Sequence, residues 1–262
     1  MDTRFWGPSG WRLLHLVSFG YQPSQRKEML AFLEALPFVL PCKFCRSSLI
    51  TYYEELPPED HLESKEKLGK WMWQIHGKVN QKLRSQGQHI PADPTYAMVK
   101  KIYTERLHHG CTKTDFPGWD FLFSILENHP LSKGEKPTPM PGAPPLESID
   151  PHNTKELLKW NYLDPTIRYQ FVCTFWETLP NVLPFLEWRL VWKEHGSTFC
   201  SKTWASKQDA MKALWHIRCA INKELHLLNK TTFRELCNDL KLHKSGCAKS
   251  RNARTCRKKR KH

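Results

Sequence analysis

Apolar residues recur at intervals of three and four along the first part of the chain and predict five helices. The residues at which these helices are expected to begin are Ser9, Ser24, Cys42, Ser64 and Thr95. The second helix is expected to end at Pro37, and Pro57-Pro58 stops the third. The pattern predicts an all-α fold, a four-helix bundle plus one short fifth helix.

A line of polar residues follows one face of the fourth predicted helix. His76, Asn80 and Arg84 are spaced four residues apart, and Lys82 lies nearby. A lone histidine on a helix is more often a surface or a satisfied core residue than a ligand-binding one. The aligned set instead favours binding of a polar, phosphorylated ligand.

A C-x-x-C pair, Cys42 and Cys45, follows an apolar run at the predicted start of the third helix. N–H groups at a helix N-terminus stabilise a thiolate, so the pair is suited to redox chemistry. The alternative is half of a structural zinc site, which needs four ligands. The next candidate ligands, His108, His109 and Cys111, lie more than sixty residues away. The pair alone leaves both interpretations open.

Composition is typical of a globular protein, and its 262 residues suffice for one large domain or two smaller ones. No apolar run approaches the roughly 20 residues of a membrane span, and the N-terminus lacks a secretory pattern. We therefore expect a soluble, cytoplasmic protein. Nine scattered cysteines do not make a small secreted disulfide scaffold.

The net charge of +14 is concentrated at the C-terminus. Residues 241–262 contain ten Lys or Arg and no acidic residue. Such a run is typical of an arm attracted to polyanions, for example nucleic acid or an anionic membrane. A tail that only aids solubility is the alternative.

Four motifs stand in an order and a spacing known from one family. They are Trp6-Gly7-Pro8, Trp11-Arg12-Leu13-Leu14-His15, Pro41-Cys42-Lys43-Phe44-Cys45-Arg46 and His76-Gly77-Lys78-Val79-Asn80-Gln81-Lys82-Leu83. Over residues 5–106 the chain resembles the Erv/ALR family of FAD-linked sulfhydryl oxidases, above all the members from large cytoplasmic DNA viruses. The resemblance implies a helical bundle that holds FAD, with the Cys42–Cys45 disulfide against the flavin ring.

The resemblance also implies roles for individual residues. Cys42 and Cys45 are the catalytic pair, with Cys45 nearer the flavin and Cys42 facing the incoming thiol. The residues on cofactor-binding positions are Gly7, Trp11, His15, Phe19, His76, Asn80, Lys82, Arg84 and Tyr103. Electrons would pass from dithiols through this disulfide and FAD to O2, giving hydrogen peroxide; no metal is implied.

Two positions depart from the family pattern. Gly77 stands where the family usually has asparagine, so we expect one hydrogen bond fewer to the cofactor. Trp73 occupies the expected position of a cysteine whose structural disulfide ties the fourth helix to the last one. The last helix of the bundle is therefore expected to be held by packing.

Beyond a proline-rich linker, residues 136–145, the chain repeats itself. Residues 32–41 match residues 175–184 at an offset of 143 (175 minus 32). A second block, Trp73 to Asn80, matches Trp215 to Asn222 at an offset of 142 (215 minus 73). Coincidental similarity of two sets of amphipathic helices is the alternative.

The second copy lacks the residues of the candidate chemistry. Phe185 and Trp188 stand in place of the two cysteines, and Arg218 stands in place of His76. This half resembles the degenerate pseudo-domain of quiescin sulfhydryl oxidases. Because family members commonly form homodimers, the second half could supply the partner surface within one chain.

We therefore expect four segments. A FAD-binding oxidase domain covers residues 1–110, and a connecting helix with the linker covers 111–150. A degenerate helical pseudo-oxidase domain covers 151–242, and a basic tail covers 243–262.

The resemblance implies protein dithiols or a thioredoxin-like carrier as partners, together with O2. Polyanion contact through the tail and a homodimer are further expectations. A shuttle disulfide in the tail, Cys247 with Cys256, is a candidate, and Cys111 is the alternative.

If the chain is viral, a virus factory or the virion is the expected location; the mitochondrial intermembrane space is the alternative. The competing function is a zinc-stabilised helical module with a nucleic-acid-binding tail.

Overall fold

The computed structural model describes residues 2–111, 116–130, 138–196, 207–227 and 231–243. These residues form helices and no strand. The helices of the first half are α1 (Thr3–Phe19), α2 (Arg26–Val39), α3 (Lys43–Glu55), α4 (Lys65–Ser85) and α5 (Tyr96–His108). Those that follow are α6 (Trp119–Glu127), α7 (Thr154–Lys159), α8 (Pro165–Val182), α9 (Leu186–Gly196), α10 (Lys207–Glu224) and α11 (Phe233–Leu242). The prediction of an all-α fold is confirmed.

Two predicted helix starts coincide with observed side-chain caps. The Ser64 hydroxyl accepts a hydrogen bond from Lys67 N–H at the start of α4. The Thr95 hydroxyl accepts one from Met98 N–H at the start of α5. Each cap satisfies a backbone donor that has no partner within its own helix.

The prediction for the first helix was wrong in its start. The helix begins at Thr3, capped by the Asp2 carboxylate, and Pro8 lies inside it. Ser9 instead donates a hydrogen bond to Pro117 O (2.7 Å), where the chain approaches α6. The helical pattern before Pro8 is only one turn long, which is why the sequence indicated a later start.

The prediction for the second helix was wrong at both ends. Ser24 lies in a short 3-10 turn, and α2 begins after it without a side-chain cap. α2 also continues through Pro37 to Val39. A proline near the end of a helix costs one backbone hydrogen bond, and the apolar residues around Pro37 are buried, which offsets that loss.

One continuous cluster of buried apolar residues joins the two halves of the chain. α1 packs on α4 and α5, and it also contacts α6. α6 in turn packs on α10 and α11. The most extensive contact between any two of the described helices joins α2 to α8. α7 also packs on α3, so the described residues after the first bundle cover three of its helices.

Hydrogen bonds at the α2–α8 contact are reciprocal. Gln25 Nε2 donates to the backbone carbonyl of Asn181 (2.6 Å), and Arg168 Nε donates to that of Phe38 (2.8 Å). Gln25 and Arg168 are 143 positions apart (168 minus 25), as are Phe38 and Asn181 (181 minus 38). At a two-fold axis, residue i contacts j and the equivalent of j contacts the equivalent of i. The contact has this form.

Two aromatic rings meet at the same contact. Phe32 of α2 and Phe175 of α8 are fully buried and stack with ring centroids 5.1 Å apart. They also occupy equivalent positions of the sequence repeat. A residue that meets its own equivalent is what a symmetry axis requires.

Of the proline-rich linker, residues 138–145 are described, and they contain no helix, as predicted. They are held against the helices: Met140 N–H donates to Trp160 O (3.0 Å), and Tyr162 OH donates to Pro144 O (2.9 Å). No described helix is both long enough and apolar enough to cross a membrane.

We predict that Phe175→Ala destabilises the protein by about 3–5 kcal/mol, because it leaves a cavity in the core shared by both halves. Urea unfolding followed by tryptophan fluorescence and far-UV circular dichroism measures this loss. Ile167→Ala, at a more exposed position of the same helix, is the control and should cost less than about 1 kcal/mol. Equal costs for the two substitutions would contradict the shared core.

Candidate active site

α1, α3, α4 and α5 enclose a largely apolar cavity of about 620 Å³. Cofactor and ligand sites in proteins typically measure about 300–1,000 Å³. The predicted site residues that line this cavity are Gly7, Trp11, Cys45, His76, Asn80, Lys82 and Tyr103. The structure therefore brings together most of the residues that the sequence motifs indicated.

Four predicted site residues do not line the cavity: Cys42, His15, Phe19 and Arg84. His15 lies behind the wall, with its Nε2 3.0 Å from His76 Nδ1. Phe19 stacks on Tyr103 at a centroid distance of 5.6 Å. These two side chains fix the positions of residues that do face the cavity.

Trp11 and His76 form a stacked pair in the cavity wall. Their ring centroids are 4.0 Å apart and their planes differ by 10°. Burial lowers the pKa of His76 to about 4, with Asp93 opposing the shift, and burial lowers that of His15 to about 3. Both imidazoles are therefore neutral at neutral pH, and the aromatic wall carries no positive charge there.

The polar line along α4 binds a residue that the sequence analysis missed. Asn80 Nδ2 donates to Asp93 Oδ1 (2.6 Å), and Arg84 donates two hydrogen bonds to the same carboxylate (2.7 and 2.9 Å). Hydrogen bonding from Arg84 is the main cause that lowers the pKa of Asp93. Asp93 thereby ties the loop between α4 and α5, residues 86–95, to α4. Its place between two prolines was the only sequence signal for such a role.

Cys42 and Cys45 differ in what they face. Cys42 precedes α3 as its N-cap residue and is 5% exposed. Cys45 lies in the first turn of α3, is half-buried and lines the cavity. The N-terminus of α3 favours negative charge at both positions.

The residues beside these cysteines bind the linker and the segment that follows it, which the sequence did not indicate. Lys43 Nζ donates to Thr138 Oγ1 (2.9 Å). Arg46 is buried, and its Nη2 donates to Asn161 Oδ1 (3.2 Å). The thiol motif is thus in contact with a segment more than ninety residues later in the chain.

The cysteines outside the motif have other environments. Cys111 is buried, and burial, with Glu187 nearby, raises the pKa of its thiol to about 11. A thiol of this kind is a poor nucleophile at neutral pH, so Cys111 is ill suited to a shuttle. Cys247 and Cys256 lie outside the described residues.

The corresponding positions of the second half are filled by packed side chains. Trp188 is fully buried, and the guanidinium of Arg218 lies over the rings of Trp119 (5.7 Å) and Trp215 (5.3 Å). Among the residues described, no group of three or more His, Cys, Asp or Glu is placed to hold a metal ion.

Residues 8–101 match the sequence profile of the Erv1/Alr family. The mitochondrial FAD-linked sulfhydryl oxidase of Saccharomyces cerevisiae is 41% identical over 87 residues, which are 32% of this chain and 45% of that protein. A probable FAD-linked sulfhydryl oxidase of Acanthamoeba polyphaga mimivirus is 34% identical over 85 residues, which are 30% of this chain and 59% of that protein.

The chain thus spans about half of the length of these two relatives. No solved structure matches the chain at a significant level. The matched region covers α2, α3, α4 and parts of α1 and α5, and it includes the C-x-x-C pair and most of the residues that line the cavity. Through residues 8–101, the chain is similar to the Erv1/Alr family.

Proposed function

We propose that this protein is a FAD-dependent sulfhydryl oxidase that makes disulfide bonds. The observation that carries the proposal is the placement of Cys45 in the wall of a cofactor-sized, aromatic cavity. The relatives that match this region are named FAD-linked sulfhydryl oxidases. A yellow protein whose flavin absorbance survives gel filtration is the expected result; a colourless protein with stoichiometric zinc would favour the helical zinc module instead.

The residues around the cavity fit a flavin nucleotide. Trp11, His76 and Tyr103 offer flat surfaces for a ring system. Lys82 and Arg12 supply positive charge in the lining, which suits a pyrophosphate.

Two buried polar atoms of the lining add hydrogen-bonding capacity. Trp6 Nε1 and Gln86 Oε1 have no hydrogen-bond partner within the described part of the chain. Buried donors and acceptors are normally satisfied, so these atoms are free to bind a polar ligand.

The order in which the thiols react is taken from the family resemblance, and Cys42, which is 5% exposed, has to become accessible before a substrate attacks it. A substrate thiolate attacks Sγ of Cys42, the Cys42–Cys45 bond breaks, and Cys45 leaves as a thiolate. The second substrate thiolate then attacks the mixed disulfide, which releases oxidised substrate and the Cys42 thiolate. Bound FAD would carry the two electrons from the reduced pair to O2, with hydrogen peroxide as product. Cys45, as the cavity-facing sulfur, is the residue placed to deliver them.

The second half acts as a degenerate copy that replaces a dimer partner. The reciprocal hydrogen bonds and the Phe32–Phe175 stack at equivalent positions support this proposal. α6, which the sequence assigned to the connecting segment, packs on α10 and α11 as α1 packs on α4 and α5. Arg218 between two tryptophans supports a second half that binds no flavin.

Substrates and location stay at the level of proposals. Protein dithiols or a thioredoxin-like carrier would deliver electrons, and the basic tail, from which only His243 is described, would contact polyanions. The cytoplasm, including a virus factory, is the proposed location. The mitochondrial intermembrane space is the alternative, since the yeast relative is named mitochondrial.

We predict that Cys42→Ser and Cys45→Ser each abolish dithiol oxidation while FAD stays bound, because the thiols carry electrons without enclosing the cofactor. Oxygen consumption with dithiothreitol and the flavin absorbance of the purified variants measure the two properties. Cys111→Ser is the matched control and should keep full activity, since this thiol is buried outside the cavity. Normal oxygen consumption in either variant of the pair would refute the assignment.

We also predict that His76→Ala and Asn80→Ala weaken flavin binding about tenfold each, the usual effect of losing a stacking partner or a hydrogen bond. Arg218→Ala, the equivalent change in the second half, should leave binding unaltered. Flavin-to-protein ratios and fluorescence titration of the apoprotein provide the comparison. A ratio near two flavins per chain would exclude a flavin-free second half.

A further inference from the structure

Arg46 carries a buried positive charge immediately after the C-x-x-C pair. Its Nη1 donates to Leu40 O (2.9 Å) and its Nη2 to Asn161 Oδ1 (3.2 Å), and both acceptors are neutral. Its Nε is buried without a hydrogen-bond partner among the described residues. A buried guanidinium that no anion neutralises is unfavourable, and a nearby anion would stabilise it.

The backbone places Arg46 beside both thiols. It directly follows Cys45, its N–H donates to Cys42 O (3.0 Å), and its guanidinium holds the carbonyl of Leu40, two residues before Cys42. In agreement with this placement, burial lowers the pKa of Arg46, whereas Cys42 and then Cys45 raise it. Among the described residues, thiolates at these two positions are the anions that this geometry offers to the guanidinium. The reverse also holds, because a cation beside a thiol favours its ionised form.

The side chain that holds Arg46 comes from the other half of the molecule. Asn161 has φ 62°, in the left-handed region that asparagine tolerates better than most residues. Its Nδ2 donates to Thr138 O (2.7 Å), and Lys43 Nζ donates to the same carbonyl (3.0 Å). Thr138 and Asn161 therefore accept hydrogen bonds from the two basic residues of the thiol motif, Lys43 and Arg46.

We propose that Arg46, held in place by Asn161, stabilises the thiolate that the Cys42–Cys45 pair releases, so that the second half of the chain tunes the redox chemistry of the first. The inference rests on the proposed function. When a substrate thiolate attacks Cys42 Sγ, the electron pair of the broken S–S bond moves to Cys45 Sγ, and the guanidinium stabilises that anion. A pair whose reduced form is stabilised is a stronger oxidant of its substrate. Arg46 acts on the thiolate itself, and Asn161 is the positioning residue that holds Arg46.

Within the described part of the chain, the other ionisable groups that act on Arg46 or Cys45 do not supply a competing anion at neutral pH. Arg168 of α8 is also buried, donates to Phe38 O (2.8 Å) and Asn128 O (3.3 Å), and adds positive charge that acts on Arg46. Tyr52 of α3 interacts with Cys45, and burial raises the pKa of Tyr52, so it is neutral at neutral pH. Of these two neighbours, the one that carries charge at neutral pH is a cation.

The test compares Asn161→Asp with wild type in the full-length protein. An aspartate tolerates the left-handed backbone and places a carboxylate on Arg46, which neutralises the charge that the thiolate would use. Asn153→Asp is the matched control, because it adds the same charge to the same segment at an N-cap where aspartate also serves. Arg46→Gln removes the cation itself.

The protein is equilibrated without oxygen in glutathione redox buffers between pH 6 and 8. After acid quenching and alkylation, peptide masses give the fraction of the Cys42–Cys45 pair that is oxidised. We expect Asn161→Asp and Arg46→Gln to shift the equilibrium about tenfold toward the disulfide. This corresponds to a rise of about one unit in the pKa of the thiol that Arg46 stabilises. Asn153→Asp should not shift it.

The pH dependence separates electrostatics from a structural effect. Reduction of the disulfide takes up two protons if both sulfurs end as thiols and one proton if one of them stays a thiolate. The wild-type pair should therefore take up close to one proton, and the Asn161→Asp pair closer to two. An Asn161→Asp protein that is folded, by circular dichroism, and has wild-type equilibrium and proton uptake would overturn the proposal. Failure of wild type to consume oxygen with dithiothreitol would refute the proposed function alone, since the equilibrium is measured without turnover.

Discussion

The burial of one face of α2 under α8 joins the two halves, and the candidate active site depends on it. Phe32 and Phe175 stack in this contact, and the reciprocal hydrogen bonds lie at its ends. Because α8 directly follows the segment that carries Asn161, docking of α8 brings that segment onto the thiol motif. Dispersion and the hydrophobic effect in the contact thus set the position of polar groups that have little stability of their own.

The cavity lining combines two environments. The stacked rings of Trp11 and His76 form an uncharged part of the wall, because burial disfavours the imidazolium of His76 and of His15 behind it. Elsewhere in the lining, Lys82 and Arg12 keep positive charge available. A cofactor with a flat redox ring and a phosphate group needs both environments, and the proposed flavin site has them within one enclosure.

The two halves use equivalent positions for opposite purposes. In the first half, Arg46 is buried beside two thiols. In the second, the equivalent Arg189 follows Phe185 and Trp188, which are large apolar residues packed against each other. Aromatic side chains at these positions pack and carry no thiol chemistry. This is what the proposal of a degenerate copy requires.

Local patterns in the sequence determined the helical fold and most of the cavity wall. The spacing of apolar residues predicted the helices, since a helix repeats every 3.6 residues whatever it packs on. Trp11, His76 and Cys45 were found for a related reason: their motifs place them at fixed positions on single helices. The start of α1 was predicted too late, because the single helical turn before Pro8 is too short to show a periodic pattern of apolar residues.

Contacts between distant segments were decided only by the tertiary structure. Asp93 accepts hydrogen bonds from Asn80 and Arg84, and Asn161 accepts one from Arg46. Each of these contacts joins a loop to a helix. Loop residues have no periodicity that indicates their partners. The burial of Cys42 and the raised pKa of Cys111 also depend on which segments cover them. A sequence determines what each residue can do, but the charge and solvent exposure around it are set by neighbours that only folding brings close.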